Sequence, residues 1–157
     1  MIVCGIDPGL DGAVAFLNIP KGTLEVFDMP TVTVLRGGKK KREVSASMLA
    51  DLFSVHMNSE IKVFSERVNA MKGQGVTSVF SFGRSSGIIE GVIAARLMPL
   101  TLVTPQTWQK ACNVRDGKDG SRARAAELYP AYARLFARKC DDGRSDASLI
   151  AYYGAQL

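Results

Sequence analysis

The sequence predicts an α/β domain built on a mixed five-stranded sheet, three antiparallel strands followed by two parallel ones, flanked by helices. Three observations carry this. Short apolar runs separated by turn residues occupy the first 28 positions, further strand-like runs at 61–65 and 100–104 alternate with helical patterns, and the chain closes on an apolar helical segment. A meander followed by strand–helix alternation makes a layered sheet covered by helices.

The elements follow in order. Ile2-Val3-Cys4-Gly5-Ile6 and the acid Asp7 read as a buried strand, and Pro8-Gly9-Leu10-Asp11-Gly12 supplies turn chemistry. Residues 13–18 and 23–28 read as the second and third strands around Pro20-Lys21-Gly22. Residues 29–44 read as a connection ending in a basic run, Arg36 to Arg42, either a solvated loop or a phosphate-binding one through Lys39, Lys40 and Lys41. Ser45 or Ser47 can cap a helix whose apolar positions Met48, Leu49, Leu52, Phe53 and Val55 keep helical spacing. His56, the only histidine, reads as a surface or capping residue, so the chain lacks the histidine that many hydrolytic mechanisms use.

Ile61 to Ser65 forms a fourth strand that delivers Glu66, and Lys72-Gly73-Gln74-Gly75 is a loop. Val76 to Met98 reads as one long helix with Gly83, Gly87 and Gly91 on one face, fit either for close packing on the sheet or for a symmetric helix–helix contact. Leu100 to Thr104 is the fifth strand, and Pro105 starts a helix carrying Trp108 and Lys110. A polar loop with Lys118 leads to a helix over Ser121–Leu128, with Arg122 and Arg124 exposed. Asp142 and Asp146 then open the last helical segment, Ala147 to Ala155, on one face at i and i+4.

Composition bounds the function. A chain of 157 residues fits one domain spanning 1–157, and no apolar run approaches the roughly 18–20 residues of a membrane span. The N-terminus enters a strand without the basic start and cleavage site of a signal peptide, which points to the cytoplasm. Cys4, Cys112 and Cys140 are odd in number and lack a C-x-x-C pair, as expected of reduced thiols. A net charge of +5 favours a polyanionic partner, nucleic acid above all.

The acids stand where acids are expensive. A buried carboxylate neutralises itself or finds a partner. In an open mixed sheet, ligands bind outside the carboxyl ends of the strands, where Asp7 and Glu66 would emerge, and the last helix can bring Asp142 and Asp146 to the same edge. Singly, each has a bland reading as a turn acid, surface pair or helix cap; together, in this order, they suit a divalent-metal site. Mg²⁺ prefers oxygen ligands, and two such ions about 4 Å apart activate water and stabilise the leaving oxygen of a phosphodiester.

On these residues the chain resembles the RuvC-like Holliday junction resolvases of the RNase H-like superfamily. The matching segments are Gly5-Ile6-Asp7-Pro8-Gly9 with Gly12-Ala13, Ser65-Glu66, and Asp146-Ala147 before an apolar helix. The resemblance implies homodimeric, Mg²⁺-dependent nicking of two like strands of a four-way DNA junction, with Mn²⁺ as a substitute, two ions per site and 5′-phosphate products. It implies Asp7, Glu66 and Asp146 as ligands with one more acid. Many relatives place an acid or histidine three residues before the last aspartate, where this chain has Gly143; Asp142 is the substitute, as in the mitochondrial resolvases, and Asp141 the weaker candidate.

It further implies Lys110, and less closely Lys118, as basic residues near the scissile phosphate, with Lys72 and Arg122 among the DNA contacts. Phe80 or Phe82 would either pack in the core or stack on an unpaired base. No membrane and no small-molecule cofactor are implied, and the setting is a bacterial cytoplasm or, for a virus-encoded enzyme, the host's. A broader nuclease cutting flaps or forks would share every acid. A nucleotide-binding module of the actin and sugar-kinase type needs a second domain for which the chain is too short, and a non-catalytic junction binder would be expected to have lost an acid.

Overall fold

A computed structural model of the chain describes residues 1–56, 59–69, 73, 75–115, 117 and 119–157. The strands β1 (Ile2–Asp7), β2 (Ala13–Asn18) and β3 (Thr23–Asp28) form the expected meander. After it come β4 (Thr31–Arg36), β5 (Lys39–Val44), α1 (Ala46–Ser54), β6 (Ile61–Glu66), α2 (Val76–Ala95) and β7 (Leu100–Val103). The chain finishes with α3 (Pro105–Ala111), α4 (Gly120–Leu128), two short 3-10 segments at Pro130–Phe136 and Lys139–Asp141, and α5 (Asp142–Gly154). The main sheet has the order β3-β2-β1-β6-β7, with β1 antiparallel to β2 and parallel to β6. The mixed five-stranded sheet is therefore as the sequence predicts, with β1 central.

Alternation along β1 explains why it is buried on both faces. Ile2, Cys4 and Ile6 point into one core with Leu49 and Phe53 of α1 and Ile89 and Ile93 of α2. Val3 joins the opposite core, with Trp108 of α3 and Leu149, Ile150 and Ala151 of α5. Gly5 also lies on that side, and a Cβ there would run into the backbone of Ala147 and Ala151. Glycine thus lets α5 lie directly on the central strand.

The connection expected over 29–44 is instead a hairpin. Thr31 pairs with Val44 and Arg36 with Lys39. Its turn, Gly37-Gly38, has φ of 56° and 73°, the left-handed pair that glycine takes without strain and that matches the twist of a two-residue hairpin. The Gly-Gly step between alternating residues was the signal, masked by the lysines.

Other expectations also change. His56 is not at the surface: its side chain is 12% exposed, its ring lies 4.6 Å from that of Phe16, and its Nε2 is 3.7 Å from Glu25. Phe80 does not pack in the core but is 66% exposed, while Phe82 is half-buried. Gly83, Gly87 and Gly91 do not pack on the sheet, since a Cβ at any of them would meet nothing within 4 Å. Among the described residues no helix is long and apolar enough to cross a membrane.

Candidate active site

Asp7 and Glu66 end neighbouring parallel strands, because Ile6 pairs with Ser65 in the β1–β6 register. Each carboxylate has one anchor. Asp7 Oδ1 accepts the Gly9 N–H at 3.2 Å, and Glu66 Oε2 accepts the indole N–H of fully buried Trp108 at 2.9 Å. The tryptophan, unremarked in the sequence except as a helix residue, thus fixes the second acid from α3.

α5 supplies the others. It is held over β1 by the Gly5 contact, and its first turn brings Asp142 and Asp146 to the carboxyl edge of the sheet. Asp146 Oδ1 is buried and has no hydrogen-bond partner. Burial pushes Asp146 up to about 7, against a pull from the Ser121 hydroxyl, and the charges of Asp7, Glu66 and Asp142 push the same way. Burial likewise raises Asp7 to about 6, with the Gly9 N–H opposing and the charges of Glu66 and Asp11 adding. Glu66 is raised by burial, and the Trp108 bond pulls against it. Four carboxylates therefore share one neighbourhood in which extra negative charge is poorly tolerated. Among the described residues no three acidic, histidine or cysteine side chains are already closed into a coordination shell.

Asp142 carries a cation of its own. Arg122, expected to be exposed, folds back from α4 so that only 11% of its side chain is accessible, and its Nε lies 2.8 Å from Asp142 Oδ1 without the alignment of a hydrogen bond. Arg122 also pairs with Asp119 and donates to the Ala137 carbonyl at 3.4 Å. Arg124 is not exposed either: it donates to the Cys112 carbonyl at 2.6 Å and closes the end of α3.

Asp141 belongs to a different cluster. Its side chain is 1% exposed and takes the Arg138 guanidinium at 2.9 Å and the Arg138 backbone N–H at 2.8 Å. The Arg138 hydrogen bonds hold its carboxyl below the usual range, with Arg144 adding. Arg144 itself grips Asp28 through Nε at 2.6 Å and Nη2 at 2.7 Å, tying α5 to the end of β3. Asp141 is committed to the fold.

The structure also shows why position 143 is glycine. A Cβ there would sit 2.5 Å from the Asp11 carbonyl oxygen and 2.7 Å from Gly12 Cα. The β1–β2 turn fills the space any side chain would need.

The basic candidates divide. Lys39, Lys40 and Lys41 are exposed on β5. Lys110 is exposed beside a shallow concavity lined by Gln106, Thr107 and Ala111, and no contact links it to the acids. Lys72 and Lys118 lie outside the described residues.

With this geometry in place, comparison with solved structures identifies the fold class: an RNase H-like mixed sheet of the RuvC type. The neighbours include Thermus thermophilus RuvC in complex with a Holliday junction substrate, at 12% identity and a TM-score of 0.64, covering 99% of this chain and 96% of that one. A second structure of Thermus thermophilus RuvC matches at 14% identity and a TM-score of 0.57, with the same coverage. No protein-family model and no curated protein sequence matches the chain.

Trp108→Phe tests the Glu66 anchor. Losing the indole N–H while keeping an aromatic ring should cost about 1–2 kcal/mol of stability, read as a lower melting temperature. An unchanged melting temperature would show that Glu66 is positioned by its strand alone.

Proposed function

We propose that the protein is a divalent-metal-dependent, structure-selective DNA endonuclease that resolves four-way junctions by paired symmetric nicks. One observation carries the reading: Asp146 presents a buried carboxylate oxygen without a partner, beside Asp7 and Glu66 at the carboxyl ends of parallel strands. An uncompensated buried oxygen among acids calls for a cation. The fold supports the reading, since one neighbouring structure is a RuvC bound to a Holliday junction substrate.

Asp7, Glu66, Asp146 and Asp142 would hold Mg²⁺, or Mn²⁺ in its place, as two ions per site. The bound cations would supply water activation and stabilisation of the leaving oxygen, giving 5′-phosphate and 3′-hydroxyl ends. The protein's own part is preparation. Trp108 holds Glu66 by one oxygen and leaves the other available. Asp7 and Asp146, raised toward neutrality by burial, would be held deprotonated by a bound cation. Arg122 pairs with Asp142, and exposed Lys110 would contribute a phosphate contact.

A junction offers two equivalent strands, which a two-fold dimer of this chain matches. The bare glycine face of α2, where added Cβ atoms would meet nothing, supports a homodimeric contact. Such an enzyme would work in a bacterial cytoplasm, or in a host's if virus-encoded.

Incubation with synthetic four-way junctions, flaps, duplexes and RNA–DNA hybrids, with and without Mg²⁺, tests the proposal. Paired nicks in the junction that require metal are expected, and equal cutting of flaps would defeat the junction-specific reading. Asp142→Asn should abolish cleavage. Asp141→Asn should retain it while costing about 1–3 kcal/mol of stability, because it weakens a buried charge-assisted pair. The reverse outcome would move the fourth ligand to Asp141.

A further inference from the structure

We infer that the seam between the β4–β5 hairpin and the first half of α2 is a trough for the phosphate backbone of one nucleic-acid strand, running toward the acid cluster. This rests on the nuclease reading for its direction, while the charge and the cavity belong to the hairpin and α2.

Charge is the first argument. Residues 31–44 carry Arg36, Lys39, Lys40, Lys41 and Arg42 against Glu43, a net +4 of the chain's +5. The hairpin is held in place: Glu43 takes Arg36 at 2.6 Å from its own ribbon and Arg84 at 3.2 Å from α2. The lysines thus sit on a ribbon tied to α2, exposed on β5, with Lys41 lining the seam itself.

Shape is the second. Between ribbon and helix lies a cavity of about 480 Å³, lined by Lys41 and Arg42 of the ribbon and by Thr77, Ser78, Ser81 and half-buried Phe82 of the helix. Ammonium and hydroxyl groups are the usual contacts to phosphate oxygens, and they fix register without reading sequence. A half-buried ring beneath them suits a sugar or base.

Continuity is the third, and it selects the occupant. Leu10, in the turn that follows Asp7, lines the same cavity. Arg42 Nη2 donates to the Leu10 carbonyl at 2.6 Å and Nη1 to Asp11 at 2.7 Å, locking the ribbon to that turn. Lysines alone would serve an acidic protein equally well. A trough ending on the turn beside the candidate metal ligands serves a strand on its way to them.

The test uses fluorescence anisotropy of the full chain with a labelled four-way junction and a labelled single strand, in EDTA, across a salt series. Ser81→Glu places an acid in the trough at an exposed helix position and should weaken both by roughly tenfold at moderate salt. The combined Lys39→Gln, Lys40→Gln and Lys41→Gln variant should flatten the salt dependence for the junction by about 0.9 per lost phosphate contact. Wild-type affinity in Ser81→Glu, or a wild-type salt slope in the lysine variant, would overturn the trough. So would a labelled polyglutamate peptide that binds as tightly as DNA and is lost in the same variants. The two readings fail separately. If the wild type cuts no junction yet these variants lose DNA, the trough stands without the resolvase; if it cuts junctions and the variants bind normally, only the trough falls.

Discussion

Asp146→Asn should abolish junction cleavage and, in the absence of metal, make the protein more stable at pH 8. Asp146 is raised to about 7 and Asp7 to about 6, both mainly by burial. Between pH 4 and 7 the folded chain keeps protons that the unfolded chain has released. The corresponding stability is fully present below the unfolded carboxyl range and is lost as pH rises through the two folded values. Asparagine has no charge to desolvate, so the part of that loss due to position 146 disappears. At pH 8 the gain should be on the order of 2 kcal/mol after allowing for a buried amide, or roughly 4–8 °C in melting temperature. At pH 5 the two proteins should melt much closer together. Thermal unfolding in EDTA at both pH values decides it: equal pH dependence would mean that Asp146 is not strained by its surroundings. Added Mn²⁺ should stabilise the wild type at pH 8 and leave Asp146→Asn nearly unmoved.

Gly143→Asp should unfold or severely destabilise the chain rather than supply a further acid beside Asp146. The new Cβ would press on the Asp11 carbonyl and Gly12, backbone atoms of a turn that cannot yield without disturbing Asp7. Overpacking of this kind costs about 3 kcal/mol or more. Gly143→Ala carries the same clash without the charge and should lose stability comparably, which separates sterics from electrostatics. A well-folded Gly143→Asp protein that cuts junctions with Asp142→Asn in the background would refute both the packing account and the assignment of Asp142.

The order of the five main strands and the edge occupied by Asp7 and Glu66 were legible in the sequence. Both follow from local information: apolar runs of strand length, turn residues between them, and an acid at the end of each run. The placement of Asp146 was legible for a similar reason, since an i, i+4 pair at a helix start shares one face whatever the helix packs on. The β4–β5 hairpin was not read, although Gly37-Gly38 and the alternation in Thr31-Val32-Thr33-Val34 carry its signal; five basic residues made the segment look like loop. Phe80 was left open between core and surface because an aromatic in an apolar helix is ordinarily buried, and here α2 turns that position to solvent.

The sequence by itself determined on which kind of element each of the four acids would lie, because strand and helix periodicities act over a few neighbouring positions. Only the tertiary structure distinguishes the surroundings of Asp141 and Asp142, adjacent in the chain and alike in chemistry. Asp141 turns toward Arg138 and Arg144 and braces α5 against β3, while Asp142 faces Arg122 beside Asp146. It likewise decided that position 143 has no room for a side chain and that Arg122 turns inward. The missing room at 143 depends on the turn after β1, more than a hundred residues away, and the Arg122–Asp142 pair on the packing of α4 against α5; the Asp141 pairs are local in sequence, but nothing in the sequence says which of two adjacent acids takes them.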